Sequence, residues 1–320
     1  MKASSALVTG GAGFIGSHIV EELLARGIET TVIDDLSTGS LENLASYHDN
    51  KLLHVIVGDA KDASKLLGNK KIDVVFHEAA IASVPRSVTE PMKVHDVNVN
   101  MTLELMNFCV HRGIKRFIFA SSAAVYGVIK TPASEDIPCR PFSPYGASKL
   151  CIEDYLNAYY HTYGLESVAL RYFNVYGPRQ KLSDYSGVIT IFINKLLSIK
   201  RPIVHGDGLQ VRDFVFVKDI VNANMLAMEL QNAVGETFNV ATGDTISIIE
   251  LLKMLQKITN TEKIGYDYGQ PRAGDVRSGQ ASIKKISDFL GYKPKTAMYD
   301  GLESVVDSIK AEISKPMLSV

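Results

Sequence analysis

Along the first half of the chain, short apolar runs alternate with longer stretches of helical spacing. ALVTG (6–10) precedes a helical pattern over 14–26, TTVID (30–34) one over 41–47, and LLHVIVGD (52–59) one over 62–67. DVVFHEAA (73–80) is followed by a predicted helix over 92–112, RFIFASS (116–122) by one over 145–163, and SVALRYFN (167–174) closes the series. Strands that are apolar at successive positions are buried on both faces, which requires a parallel sheet with helices packed on each side. The predicted fold is therefore α/β, with a doubly wound parallel sheet.

The rhythm breaks at the polar, Gly/Pro-bearing stretch VYGPRQKLSDYSG (175–187), which leads into an amphipathic helix over 188–199. PIVHGDG (202–208), DFVFV (213–217) with a helix over 218–230, and TFNVA (237–241) read as further strands rejoining the sheet. Residues 247–320 mix short helices and strands around the loop GQPRAGDVRSG (269–279). The predicted organisation is a main domain over 1–175, rejoined by 211–246, and a smaller interleaved α/β domain made of 176–210 and 247–320.

Composition narrows the partners. With 46% hydrophobic residues, 22% charged residues and a formal charge of −1, the 320-residue chain has no electrostatic bias toward nucleic acid or an anionic membrane. Cys109, Cys139 and Cys151 are spaced like neither a disulfide framework nor a clustered zinc site, so a reducing compartment is expected. No run of about 20 apolar residues is present, and the expected location is the cytoplasm. HEAAI (77–81) begins like a zinc-protease helix, but its fifth residue is Ile81 and it ends a strand, so no metal is expected there. The eight histidines are expected on the surface and the nine methionines in the core.

TGGAGFIG (9–16) follows the first strand and opens the first helix, with Gly10, Gly13 and Gly16 spaced GxxGxxG. Such a loop lets the backbone approach a pyrophosphate while the helix N-terminus offers it amide donors. About 20 residues on, VIDD ends the second strand, and Asp34 can accept hydrogen bonds from ribose hydroxyls while repelling a 2′-phosphate. No arginine follows in DDLSTG, so NAD is favoured over NADP. Asp59, ending IVGD, is placed to bind near adenine.

SPYGASK (143–149) puts Tyr145 and Lys149 four residues apart, on one face of a helix. A tyrosine with a pKa near ~10 is a poor base at neutral pH, and a neighbouring cation favours its phenolate. The preceding strand ends in Ser121 and Ser122, at the edge where open α/β sheets bind ligands. Ser122 would there hydrogen-bond the reacting hydroxyl.

Taken in order, TGGAGFIGSH, IDDLSTG, GDA, HEAAIASVPRSV, NVNMTLELM, SSAAVYG, SPYGASK, LRYFNVYGPRQ, VRDFVFVKD and PRAGD span nearly the whole chain. Together they resemble the extended short-chain dehydrogenase/reductase family, and within it the nucleotide-sugar 4-epimerases related to UDP-galactose 4-epimerase. The resemblance implies a Rossmann-type NAD domain and 4-epimerisation of a UDP-hexose through a transient 4-keto sugar. It makes Ser122, Tyr145 and Lys149 the catalytic set, with Lys149 also on the nicotinamide ribose. Gly10, Gly13, Phe14, Ile15, Gly16, Asp34, Asp59, Ala60, Asn98 and Tyr172 are implied around NAD, with Phe173 beside Tyr172. Asn174, Val188, Arg212, Arg272, Asp275 and Gly279 are implied around the UDP-sugar. The two arginines would clamp the pyrophosphate, which the planar guanidinium fork suits. A homodimer through the helices starting near 92 and 145 is also implied.

Related dehydratases and decarboxylases typically carry an acid two residues before the tyrosine of VYG; here that position is Ala124, which favours simple epimerisation. A non-enzymatic NAD-binding regulator on the same scaffold is disfavoured by the intact Ser122, Tyr145 and Lys149. Gly279 stands where a bulky residue in some relatives closes off the sugar C2 substituent, so both UDP-glucose/galactose and the UDP-N-acetylhexosamine pair are candidates. Arg86, in ASVPRSV, keeps UDP-glucuronate as an alternative.

Overall fold

A computed structural model describes residues 2–128, 132–182, 187–271 and 277–314. In chain order the first half runs β1 (Ser5–Thr9), α1 (Phe14–Ala25), β2 (Glu29–Asp34), β3 (Leu53–Val57), α2 (Ala63–Leu67) and β4 (Val74–His77). It continues with α3 (Val84–Thr89), α4 (Pro91–His95), one π-helical turn over Asp96–Asn100, α5 (Met101–Arg112), β5 (Arg116–Ser122), α6 (Pro144–Tyr163) and β6 (Glu166–Tyr172). The second half contains β7 (Asn174–Tyr176), α7 (Val188–Leu197), β8 (Ile203–His205), β9 (Val211–Arg212), β10 (Phe214–Phe216), α8 (Val217–Glu229) and β11 (Thr237–Val240). After these come β12 (Ile246–Ser247), α9 (Ile248–Ile258), β13 (Asp267–Gly269), β14 (Ser278–Gly279), α10 (Lys284–Leu290) and α11 (Met298–Ser314).

The seven-stranded sheet has the order β11-β6-β5-β4-β1-β2-β3 and is parallel throughout. Successive side chains of a strand enter opposite layers. Ala6, Val8, Val74, Phe76, Ile118 and Ala120 pack with α1 and α8. Leu7, Val75, Phe117 and Phe119 pack with α2, α5 and α6. This two-sided burial is why the strands read as unbroken apolar runs. A third core, built from α7, α9 and α11 around Phe192, Leu251, Leu252 and Val306, belongs to the C-terminal elements.

Three segments were expected to rejoin the sheet, and only Thr237–Val240 does so. The backbone changes partner after β6: Phe173 N–H still donates to Val240, but Asn174 N–H donates to Asp213. β7 therefore pairs with β10 in a separate parallel ribbon, and β8 pairs with β13. β9, β12 and β14 form a small mixed sheet that brings Arg212 opposite Gly279.

The histidine and methionine expectation fails at particular positions. His77 is buried because its two ring nitrogens meet the Thr9 and Thr102 hydroxyls at 2.7 and 2.8 Å, and burial pushes its pKa down to about 3. His18 is buried with its Nε2 3.1 Å from the Pro178 carbonyl. Met92 is 71% exposed because it lies on the outer face of a one-turn helix.

Candidate active site

The strand order reverses between β1 and β4, which opens a crevice at their C-terminal ends. A cavity of ≈ 800 Å³ fills it, lined by Gly10, Gly13, Phe14, Ile15, Gly16, Asp34, Asp59, Ala60 and Glu78 among others. The glycines are required by contact. Gly10 has φ +69°, and a Cβ there would stand 2.7 Å from Ala79 N; a Cβ on Gly16 would stand 2.2 Å from the Gly10 carbonyl oxygen. Gly13 is the N-cap of α1 and offers no side-chain cap, so the first-turn amides keep their donors for a ligand. Asp34 is anchored by two backbone amides, Ala12 N–H on Oδ2 at 2.9 Å and Leu36 N–H on Oδ1 at 2.8 Å. Each oxygen keeps a lone pair, which a ribose hydroxyl can use. Asp59 accepts from Lys61 N–H and pairs with Lys61 Nζ at 3.1 Å. A cradle of uncapped amides, glycine-tight approach and a strand-end acid fits an adenine dinucleotide.

The reacting groups sit where β5 and α6 meet. Ser143 caps α6 by accepting from Gly146 N–H, and Pro144 occupies its first turn, so the helix starts one residue before Tyr145. Lys149 Nζ lies 5.9 Å from the Tyr145 ring centroid and 4.7 Å from that of Phe119, and it donates to the Ala120 carbonyl at 2.7 Å. The Ser122 hydroxyl lies close enough to the Tyr145 phenol to favour its ionised form, and it accepts from Ala124 N–H at 3.2 Å. Ser122, Tyr145 and Lys149 thus converge.

Their ionisation departs from the sequence expectation. A lowered phenol was expected, yet among the protein's own groups burial raises Tyr145 and Glu78 adds to it, with only the Ser122 hydrogen bond opposing. Burial brings Lys149 down to about 8, against the pull of Glu78 and Glu153. The ammonium is itself buried, at 4% exposure, so desolvation lowers the pH above which it loses the charge that favours the phenolate.

Two predicted cofactor residues lie behind the cleft surface. Asn98 accepts from Ile81 N–H at 2.8 Å and donates to the Ile81 carbonyl and the Ser148 hydroxyl, so its whole amide braces the loop after β4 against α6. Tyr172 is buried and donates to Glu78 Oε1 at 2.8 Å. Arg86 lines the dinucleotide cleft, but its Nε is 3.2 Å from Glu90.

A second cavity of ≈ 380 Å³ opens between the β7–β10 ribbon, α7, β8 and β9, and Asn174, Val188, Arg212, Phe192 and Gln180 line it. Asn174 Nδ2 donates to the Asp213 carbonyl, and Arg212 donates to the Val211 carbonyl at 2.7 Å. Gly279 lies in register with Arg212, and a Cβ there would meet Arg212 Cδ at 3.3 Å. Arg272 and Asp275 lie outside the described residues.

Residues 6–241 match the model of the NAD dependent epimerase/dehydratase family. The chain belongs to this family. Among its relatives, the UDP-glucose 4-epimerase of Mycolicibacterium smegmatis is 38% identical over 305 residues, 94% of this chain and 97% of that one. A UDP-N-acetylglucosamine 4-epimerase from Methanobrevibacter ruminantium, solved with UDP-N-acetylmuramic acid, superposes with a TM-score of 0.92 at 40% identity, over 98% of this chain and 100% of that one. The UDP-glucose 4-epimerase of Thermotoga maritima, solved with UDP-glucose, gives 0.91 at 37% identity, over 97% and 100%. As a member of an NAD-dependent epimerase/dehydratase family, the chain uses NAD.

Sequence reasoning passed over two sets of polar residues at the epimerase/dehydratase site. Glu78 directly follows β4, and a carboxylate at the C-terminal end of a buried central strand is itself a signal. The other set lies behind Ser122. Glu153, one turn after Lys149, pairs with Arg171 at 2.6 Å, accepts from Ser121, and Arg171 reaches Tyr126 at 2.8 Å. Removing one partner of such a buried pair typically costs about 3–5 kcal/mol, so it fixes α6 against β5 and β6.

Proposed function

We propose that the chain is an isomerase that interconverts the C4 epimers of a UDP-hexose, with NAD held in the ≈ 800 Å³ cleft and the nucleotide in the ≈ 380 Å³ cavity. The observation that carries this is the convergence of Ser122, Tyr145 and Lys149 at the C-terminal edge of β5, next to the dinucleotide cradle. NAD, when bound, supplies the acceptor that takes a hydride from sugar C4 and returns it. Tyr145 takes the proton of the 4-hydroxyl and later gives it back, and Ser122 hydrogen-bonds the same oxygen. The lowering of the phenol that this requires has to overcome burial, and a positive ring nearby acts in that direction.

Epimerisation also needs the nucleotide gripped and the hexose free to turn. Arg212 and Asn174 in the second cavity are the proposed grip, with Arg272 and Asp275 proposed from the sequence. Ala124 provides no carboxyl group beside Ser122, which supports epimerisation over elimination. We further propose a homodimer through α5 and α6, which lie side by side with Tyr159 donating to Asn107 at 2.7 Å. A cytoplasmic location is proposed from the three free thiols. No helix among the described residues is long and apolar enough to cross a membrane.

The test is a panel of UDP-glucose, UDP-galactose, both UDP-N-acetylhexosamines and UDP-glucuronate, offered to the purified chain without added cofactor. Conversion of at least one C4 pair by protein that carries NAD is expected. Retained NAD with no conversion of any sugar would support the regulator instead. Sedimentation of the same sample should give twice 35.0 kDa, and a monomer would remove the dimer.

A further inference from the structure

Glu78 is the first residue after β4, and it lines the dinucleotide cleft together with Gly10, Gly13 and Asp34. Its Oε1 accepts from the Tyr172 hydroxyl at 2.8 Å, and that hydroxyl in turn accepts from Asn224 Nδ2 at 2.8 Å. The direction of this chain is set by α8. Asn224 Nδ2 also donates to the Ile220 carbonyl at 2.9 Å, which can only accept. Turning the amide over would set oxygen against oxygen there, so both amide protons are committed, the Tyr172 oxygen must accept, and its own proton must go to Glu78. Asn224 Oδ1 is buried without a partner among the described residues, so the two acceptors of Nδ2 dictate the orientation. The relay ends on Glu78 Oε1, which must accept, and a donor fixed on that oxygen favours the ionised form of the carboxyl.

The other titratable groups that face Glu78 are Lys149 and Tyr145 of α6, both coupled to it through space. Burial pushes Glu78 up to about 7, opposed by the Tyr172 hydrogen bond and by Lys149. A carboxyl so poised is ionised by any further positive charge brought close to it.

We infer that Glu78 makes the cleft discriminate between the two redox forms of its cofactor: the carboxylate that Tyr172 holds beside Tyr145 and Lys149 favours the cationic oxidised nicotinamide over the neutral reduced one. The inference rests on the reading that this cleft takes NAD. In a transient oxidation the bound cofactor must be restored to its oxidised form at the end of each cycle, and a fixed counter-charge biases the site toward that form.

The experiment is equilibrium titration of nucleotide-free protein with NAD and with NADH, in wild type, Glu78→Gln and Tyr172→Phe. At pH 8, Glu78→Gln should lower the ratio of NAD to NADH affinity about tenfold, the effect of roughly one partly screened charge pair. The wild-type ratio should fall between pH 8 and pH 6 as Glu78 takes up a proton, and the Gln variant should show only the smaller fall that Lys149 protonation leaves. Tyr172→Phe removes the donor that favours the carboxylate, so the midpoint of that fall should move to higher pH. Equal ratios in wild type and Glu78→Gln, or the same pH dependence in both, would overturn the inference. A purely structural role for the relay would alter both affinities together and leave their ratio unchanged. If wild type binds neither nucleotide, the NAD reading of the cleft fails, and that outcome is distinct from an unchanged ratio.

Discussion

At the Asp34 end of the cleft the fixed groups are backbone: a glycine at φ +69°, the uncapped amides of α1, and two N–H donors that anchor the Asp34 carboxylate. At the Tyr145 end they are side chains from β5, β6, α6, α8 and the residue after β4, and their ionisation is shifted because they are desolvated beside one another. A backbone-built site gains its geometry as soon as the strand, turn and helix form. A side-chain-built site has its geometry only when distant elements are packed, and its charges depend on one another. The first kind suits holding a ligand, and the second suits changing one. If that division is right, substitutions at the two ends should separate affinity from turnover.

The largest effect is expected from Tyr145→Phe. Losing a positioned general base commonly reduces the rate by about 10²–10⁴-fold, and kcat for sugar conversion should fall by that order. NAD content measured on the same purified protein should stay at the wild-type level, since the cradle around Gly10 and Asp34 is untouched. Conversion undiminished by the loss of the hydroxyl would remove Tyr145 from the chemistry.

Gly16→Ala tests the other end through backbone alone. The added methyl would stand 2.2 Å from the Gly10 carbonyl oxygen, and neither partner is a flexible side chain, so α1 must move away from the loop. NAD affinity should fall by more than about tenfold, because the amides of the first turn lose their aim. Calorimetric titration with NAD would measure this. Affinity equal to wild type would mean that the close approach of α1 to β1 is not what holds the dinucleotide.

The same division explains what the sequence disclosed. The loop at Gly10–Gly16 and the acid at Asp34 are local features, tied to one strand–turn–helix unit, so spacing alone located them. The alternation of apolar runs also disclosed the parallel sheet, because strands buried on both faces carry no polar positions to confuse the reading. The partner change at Phe173 and Asn174 was invisible. Whether β10 adds to the main sheet or to β7 depends on where the backbone of Asp213 lies, which its buried carboxylate fixes through Thr242, Gly243 and Ala281, partners far along the chain. Glu78 was hidden for a related reason. Its meaning comes from Tyr172 and Asn224, 94 and 146 residues further along the chain, and from a backbone carbonyl in α8. Helical spacing reports that Lys149 is near Tyr145, not that both are desolvated, so the protein's own groups raise the phenol and its lowering is left to the cationic ring.

Asp34→Asn should have the smallest effect of the three and gives the cleanest separation of the two ends. The substitution keeps the shape, but the carboxamide presents one oxygen where the carboxylate presents two. Ala12 N–H and Leu36 N–H each point at a different oxygen, so one of them would face an NH₂ group and lose its acceptor. A lost hydrogen bond to a charged group is worth about 1.5–3 kcal/mol, and NAD affinity should fall about tenfold. The full negative charge that repels a 2′-phosphate also goes, so NADP should bind relatively better than to wild type. At saturating NAD, however, kcat should remain close to wild type, because nothing at the Tyr145 end has changed. A kcat loss approaching that of Tyr145→Phe would show that the strand-end acid of β2 reaches the reacting groups, and the separation of a holding end from a reacting end would fail.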